Sequence, residues 1–193
     1  MNVGIIGRAR SGKDTAGAWF VEQRGYRRVA LADPLKEAAL RLNPIVTSQH
    51  DEPGHLLEVI RTYGWEGAKD TYPEVRRTLQ ELGAAMRALD EDFWLRLALK
   101  RTQEANDAGV PVVITDVRYR NEAKSLVRAG FHLLHIDRPG VPHLSHESEG
   151  ALGPEDARYL VRNDGTYDDL HAQLDRIWEE IHAVESARFA LKF

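Results

Sequence analysis

The stretch "NVGIIGRARSGKDT" sets an apolar run directly ahead of G-x-x-x-x-G-K, with Gly7, Gly12 and Lys13 in the fixed positions. Composition alone yields roughly 0.04 such matches in a chain of this length, so the spacing carries information. The apolar run reads as a buried strand and "GKDTAGAWFVEQRG" as a helix closed by Gly25. A tight turn between them aims successive backbone N–H groups and the positive end of the helix dipole at one point. That point suits an anion. Lys13 would reach the outer phosphates of a bound nucleotide, with Arg8 and Arg10 adding charge. The loop departs from the usual pattern at one place. Asp14 stands where Ser or Thr normally follows the lysine, and Thr15 comes one position late.

The chain has 193 residues, a length that by itself suggests one well-buried core. With 42% hydrophobic and 29% charged residues, it reads as an ordered globular protein. A net charge of −4 argues against a nucleic-acid polymer bound through a broad basic face. The absence of cysteine removes disulfides, zinc-thiolate sites and cysteine nucleophiles, and is consistent with a reducing compartment. "MNVGIIGRAR" lacks the basic lead of a signal peptide, and no stretch has the apolar length of a membrane span. The expectation is a cytoplasmic protein without a membrane partner.

Short apolar runs alternate with amphipathic stretches, the pattern of a parallel sheet flanked by helices. "YRRVALA", "VPVVITD", "FHLLHIDR" and "RYLVRNDG" read as further strands, which makes about five. "DPLKEAALRL" reads as a helix with Asp33 as N-cap and Pro34 at N1. From Asn43 to Tyr72 the pattern breaks down, and only "HLLEVIRTYGW" is periodic enough for a short helix. "EVRRTLQELGAAMRALD" follows, with Val75, Leu79, Leu82, Met86 and Leu89 as its buried stripe. "DFWLRLALKRTQEANDAG" and "NEAKSLVRAG" are helices, as is "TYDDLHAQLDRIWEEI", with Leu170, Leu174, Ile177 and Ile181 inward. The tail over 185–193 has no clear pattern.

In parallel α/β sheets, ligands collect at the C-terminal ends of the strands. There the predicted strands deliver the Gly7–Thr15 loop, Asp33 with Lys36, Asp116 with Arg118 and Arg120, and Asp137 with Arg138. Carboxylates and cations so gathered suit phosphoryl transfer, where positioning and charge neutralisation supply most of the catalysis. The N-K-x-D motif of guanine-nucleotide switches is absent. Asp116 ends an apolar strand, so it is a candidate to hold metal-bound water, and Arg118 a candidate phosphate clamp. Arg76, Gln80, Gly83 and Arg87 share the face of their helix opposite the apolar stripe. That face is either a solvated surface or the wall of an acceptor pocket. "HLSHESE" gathers His143, His146, Glu147 and Glu149 in a segment better read as part of a lid than as a metal site.

The blocks "GKDT", "ADPLKEAA", "LQELGAAMRALDEDFW", "ITDVRYRNEA", "SHESE" and "YLVRNDGTYDDLHAQ" together resemble phage deoxynucleoside monophosphate kinases, in the family's order from Val3 to about Ile181. Each block alone is weak, whereas the ordered set is specific. Nucleoside monophosphate kinases often read G-K-x-T, so Thr15 fills the expected place. Asp116-Val117-Arg118 resembles the Asp-Gly-Phe-Pro-Arg segment of adenylate kinases.

The resemblance implies a three-layer sandwich of the P-loop type, spanning 1–184, with an acceptor-side insertion at 43–74 and a lid at 138–157. It implies ATP and Mg2+, and a deoxynucleoside monophosphate as acceptor. Gly7, Arg8, Ala9, Arg10, Ser11, Gly12, Lys13, Asp14 and Thr15 would hold ATP, with Asn163 and Gly165 near its base. Thr15 and Asp116 would serve the metal, while Lys13, Asp14, Asp116, Arg118 and Arg138 would line the reacting groups. Asp33, Lys36, Arg76, Gln80, Arg87 and Arg118 would bind the acceptor. A homodimer is left open. So is a kinase of another small phosphate, since animal-type phosphomevalonate kinases share parts of this layout. A regulatory module that hydrolyses ATP slowly is a third alternative, from a different class.

Overall fold

The computed structural model describes residues 1–48, 51–141 and 152–190. In chain order these form β1 (Asn2–Ile6), α1 (Lys13–Arg24), β2 (Arg27–Val29), α2 (Asp33–Leu42), β3 (Ile45–Val46), β4 (Gly54–His55) and α3 (Leu56–Thr71). There follow α4 (Pro73–Leu89), α5 (Phe93–Asp107), β5 (Val112–Ile114), α6 (Arg120–Arg128), β6 (Phe131–Asp137), β7 (Tyr159–Arg162) and α7 (Tyr167–Ala190). Two compact units result, one from Met1–Ala30 and Leu99–Phe193, the other from Leu31–Ala98. Among the described residues no helix is long and apolar enough to cross a membrane.

The first unit is built on a five-stranded sheet in the order β2-β5-β1-β6-β7, with every pairing parallel. β1 and β5 are buried at every position, as parallel strands covered on both faces must be. On one face Val3, Ile5, Val113, Leu134 and Ile136 pack against Trp19 and Phe20 of α1 and Leu170, Leu174, Ile177 and Ile181 of α7. On the other, Leu126 of α6 and Leu133 fill the space beside Gly4. Helices on both faces of a parallel sheet make the expected three-layer arrangement.

α1 ends as the sequence implies. Gly25 takes φ 68, and the N–H groups of Gly25 and Tyr26 return to Val21 O and Phe20 O. Tyr26 then enters the core, where burial pushes its phenol up to about 12. α7 runs past Ile181 to Ala190, so the tail is helical through its described part. That extension is tied down by Glu185, which meets the buried His132 of β6 at 2.9 Å. Burial holds the His132 imidazole below its ordinary range, against the pull of Glu185.

α1 lies unusually close to the end of β5. A side chain beginning at Gly17 would stand inside contact distance of Thr115 Cγ2, so glycine is what admits the helix here. Thr115 itself is only 2% exposed.

The second unit has its own core of Ala39, Val46, Leu56, Val59, Ala68, Tyr72 and Val75. The ill-patterned region yields the two-residue ribbon β3–β4 and α3, which continues beyond the expected short helix after a break at Gly64 (φ 65, ψ 175). Two expectations need correction. Asp33 is the first residue of α2 and not its cap; Ala32 occupies the cap position, with no side-chain capping bond. The stripe on α4 stops before Leu89, which is 83% exposed, because the last turn overruns the core and the chain leaves at Asp90.

The contact between α1 and β5 predicts a stability test. Gly17→Ala should cost about 1–3 kcal/mol, since the β-branched Thr115 cannot swing away. The double variant Gly17→Ala/Thr115→Ser removes the obstructing methyl and keeps the hydroxyl. It should recover most of the loss in urea denaturation.

Candidate active site

After Ile6 the chain turns over the top of the sheet through three residues of positive φ: Gly7 (144), Arg10 (63) and Gly12 (104). A Cβ on Gly7 would come within 2.5 Å of Ile136 O, so the loop starts flush against β6. Arg10 is not glycine, and its left-handed conformation costs on the order of 1–2 kcal/mol. The turn closes with Ser11 N donating to Arg8 O at 3.2 Å. Ser11 is 1% exposed, and its hydroxyl has no hydrogen-bond partner among the described residues. Lys13 folds back over the loop, its Nζ donating to Arg8 O at 2.5 Å. Arg8 and Ala9 complete the turn.

An open cleft of about 290 Å³ lies above the loop, lined by Arg10, Gly12, Lys13, Asp14, Thr15 and Arg138. Three cations face one carboxylate. Asp14 is directed toward the sheet, where it accepts from Thr115 Oγ1 at 3.4 Å. It also lines the cleft.

Thr115, Asp116, Val117 and Arg118 follow the end of β5. Asp116 is partly exposed, Val117 buried and Arg118 exposed. The turn is held from behind by Glu122, which is 4% exposed and whose Oε2 accepts from Arg118 N at 2.8 Å and Tyr119 N at 3.0 Å. Glu122 was not among the predicted residues, although a glutamate three residues into a helix start is a recognised capping signal. Gly17 and Thr115 were missed as well. Their significance depends on a contact between distant parts of the chain.

His135 on β6 is 7% exposed, and burial holds its imidazole below the ordinary range. The nearby positive charges of Arg8 and Lys13 push the same way, against Asp137 and Glu155.

In the loop after β7, Asn163 turns its amide toward Ser11. Gly165 adjoins a helix cap: Thr166 Oγ1 donates to Asp169 Oδ2 at 2.7 Å, and Asp169 N donates to Thr166 Oγ1 at 3.2 Å. The lid expected over 138–157 is described only at its ends. His143, His146, Glu147 and Glu149 lie outside the described residues.

Of the predicted acceptor residues, Asp33, Lys36, Arg76, Gln80 and Arg87 belong to the second unit and Arg118 to the first. Lys36 Nζ sits 5.4 Å from the Trp65 ring centre. Arg76 pairs with Asp70 at 2.9 Å and reaches Lys69 O at 3.3 Å. Gln80 is exposed and Arg87 half-buried. Gly83 does not belong to the exposed face with them. It is buried, a Cβ built there would make only ordinary contact with Leu35 Cδ2 at 3.4 Å, and its carbonyl accepts from Trp94 Nε1 at 3.4 Å.

The residues fit a polyphosphate: a glycine cradle, an orphaned buried hydroxyl and three converging cations are what an oligoanion needs. Among the described residues no three histidine or acidic side chains cluster as a metal cage. Thr15 and the Asp14 carboxylate line the same cleft, a sparse donor set of the kind that suits Mg2+ shared with phosphates.

Comparison with known proteins agrees with this chemistry. A family model described as deoxynucleotide monophosphate kinase matches residues 58–174. A protein of Acanthamoeba polyphaga mimivirus named for the same activity is 28% identical over 196 residues, covering 89% of this chain and 93% of its own length. The deoxynucleotide monophosphate kinase of Escherichia phage RB69 is 27% identical over 112 residues, covering 56% of this chain and 46% of that protein. The dephospho-CoA kinase structure from Campylobacter jejuni shares the fold, with a TM-score of 0.52 at 10% identity over 93% of this chain and 96% of its own.

The buried carboxylate behind the Arg118 turn gives a direct test. Glu122→Ala removes the acceptor of two part-buried backbone donors and should cost about 1–3 kcal/mol in urea unfolding. Glu122→Gln, which keeps an acceptor oxygen, should cost less than half as much.

Proposed function

Because the chain belongs to the deoxynucleotide monophosphate kinase family, we propose that it transfers the γ-phosphoryl group of Mg-ATP to a deoxynucleoside monophosphate. The products are ADP and the deoxynucleoside diphosphate. The bond from the γ-phosphorus to the β,γ-bridging oxygen breaks, and a new one forms to an oxygen of the acceptor's phosphate. The cleft lined by Arg10, Lys13 and Arg138 is the observation that carries the proposal.

In this reading the N–H groups of the loop from Gly7 to Thr15 bind the donor's phosphates. Lys13, with Arg10 and Arg138, neutralises charge that develops on the transferring oxygens. Mg2+, when bound, would draw charge from the β- and γ-oxygens, with Thr15 and Asp116 as the residues that hold it. Arg118 clamps the acceptor's phosphate with its planar fork. Asp33, Lys36, Arg76, Gln80 and Arg87 hold the rest of the acceptor. For Arg76 that means exchanging its present partner Asp70 for the ligand.

An ADP-release assay with ATP and each of dAMP, dCMP, dGMP and dTMP tests the assignment. At least one should be turned over far above the ATPase background. Release that is independent of every monophosphate would overturn it.

Two substitutions probe the machinery. Lys13→Ala should lower kcat at least a hundredfold while leaving the melting temperature nearly unchanged, because its side chain stabilises the transition state and not the fold. Asp14→Asn should weaken apparent Mg2+ affinity or slow transfer about tenfold, one charge-assisted contact being worth that much. A variant with normal kinetics and lowered stability would show that Asp14 serves only the helix.

A further inference from the structure

The peptide between Ser11 and Gly12 is held from outside the loop. Asn163 Nδ2 donates to Ser11 O at 2.8 Å. Asn163 is itself fixed through its own N–H, which donates to Asp137 O at 2.7 Å. The fit is tight enough that a Cβ on Gly12 would collide with the Asn163 amide.

In a trans peptide the carbonyl and the following N–H point in opposite directions, and the described chain has no cis peptide. With Ser11 O turned toward Asn163, the N–H of Gly12 is turned away from it. Gly12 also lines the cleft, between Arg10 and Lys13. The opposite orientation of this peptide would present a carbonyl oxygen to an anion. Glycine at φ 104 offers little resistance to such a rotation, so the preference must come from a neighbour.

We propose that Asn163 is a positioning residue that latches the Ser11–Gly12 peptide with its N–H toward the donor's phosphates, and that it does not read the donor's base. The inference rests on the phosphate-donor reading of the cleft. It assigns the loop after β7 a part in recognising the polyphosphate, whatever base is attached.

Calorimetric titration of Asn163→Ala with ATP, GTP and inorganic tripolyphosphate tests this. The dissociation constant should rise by a similar factor, about tenfold, for all three, as expected for a freed peptide dipole. The melting temperature of the free protein should hardly move. Asn163→Leu, which keeps the bulk against Gly12 without a donor, should lose as much as alanine; it also carries the test if the alanine variant folds poorly. Retained affinity in the leucine variant would reduce Asn163 to packing and overturn the latch. So would a loss confined to ATP, which would make Asn163 a base reader, or unchanged affinity for tripolyphosphate. Wild-type protein that binds neither ATP nor tripolyphosphate would overturn the phosphate-donor reading, and the latch with it.

Discussion

β1 is hydrogen-bonded along both of its edges, to β5 on one side and to β6 on the other. A strand so enclosed cannot continue sideways, and the chain leaving Ile6 can only cross the end of the sheet before starting a helix. That is also where the strand order reverses, and neighbouring connections diverge to opposite faces. The crevice is a product of topology before any side chain is considered. Gly7 keeps the loop low against β6, and Gly17 lets α1 settle onto β5. Thr115, Arg138 and Asn163 then arrive at the same edge because their strands all run the same way.

The electrostatics of this edge are lopsided. Arg10, Lys13 and Arg138 line a cleft whose single carboxylate among the described residues is Asp14. Two unit charges about 4 Å apart repel by roughly 4 kcal/mol at an effective dielectric of 20, so an acid beside phosphates is costly unless a cation stands between them. The hydroxyl of Thr115 nevertheless draws Asp14 inward. In the proposed reaction, a divalent ion beside Asp14 would relieve that repulsion.

Much of the first unit was legible because its signals are local. β-branched runs such as "VPVVITD" have few alternatives to a buried strand, and the helix-spaced Leu170, Leu174, Ile177 and Ile181 are all buried as read. The loop was legible because its spacing is a backbone requirement. Other parts depended on contacts that no window contains. Thr115 and Asp14 are 101 residues apart, and Asn163 lies 152 from its partner Ser11. Asn163 read as a base-side residue by resemblance, and no window of sequence shows that its Nδ2 donates to Ser11 O. Asp33 read as a cap because Asp-Pro so often opens a helix, but α2 begins one residue sooner. Between Asn43 and Tyr72 the two-residue strands and the break at Gly64 are too short to leave a periodic trace.

The enclosure of β1 has a consequence for how the protein is made. Synthesis delivers β1 before both of its partners, which begin only at Val112 and Phe131. On the ribosome the N-terminal strand must wait, apolar and unpaired, while more than a hundred residues emerge. The segment Leu31–Ala98 is contiguous and holds a core of its own, so it can condense during that interval. The nascent chain thus shortens the effective loop that β1 has to close. The same delay leaves the apolar "NVGII" open to mispairing until β5 and β6 arrive.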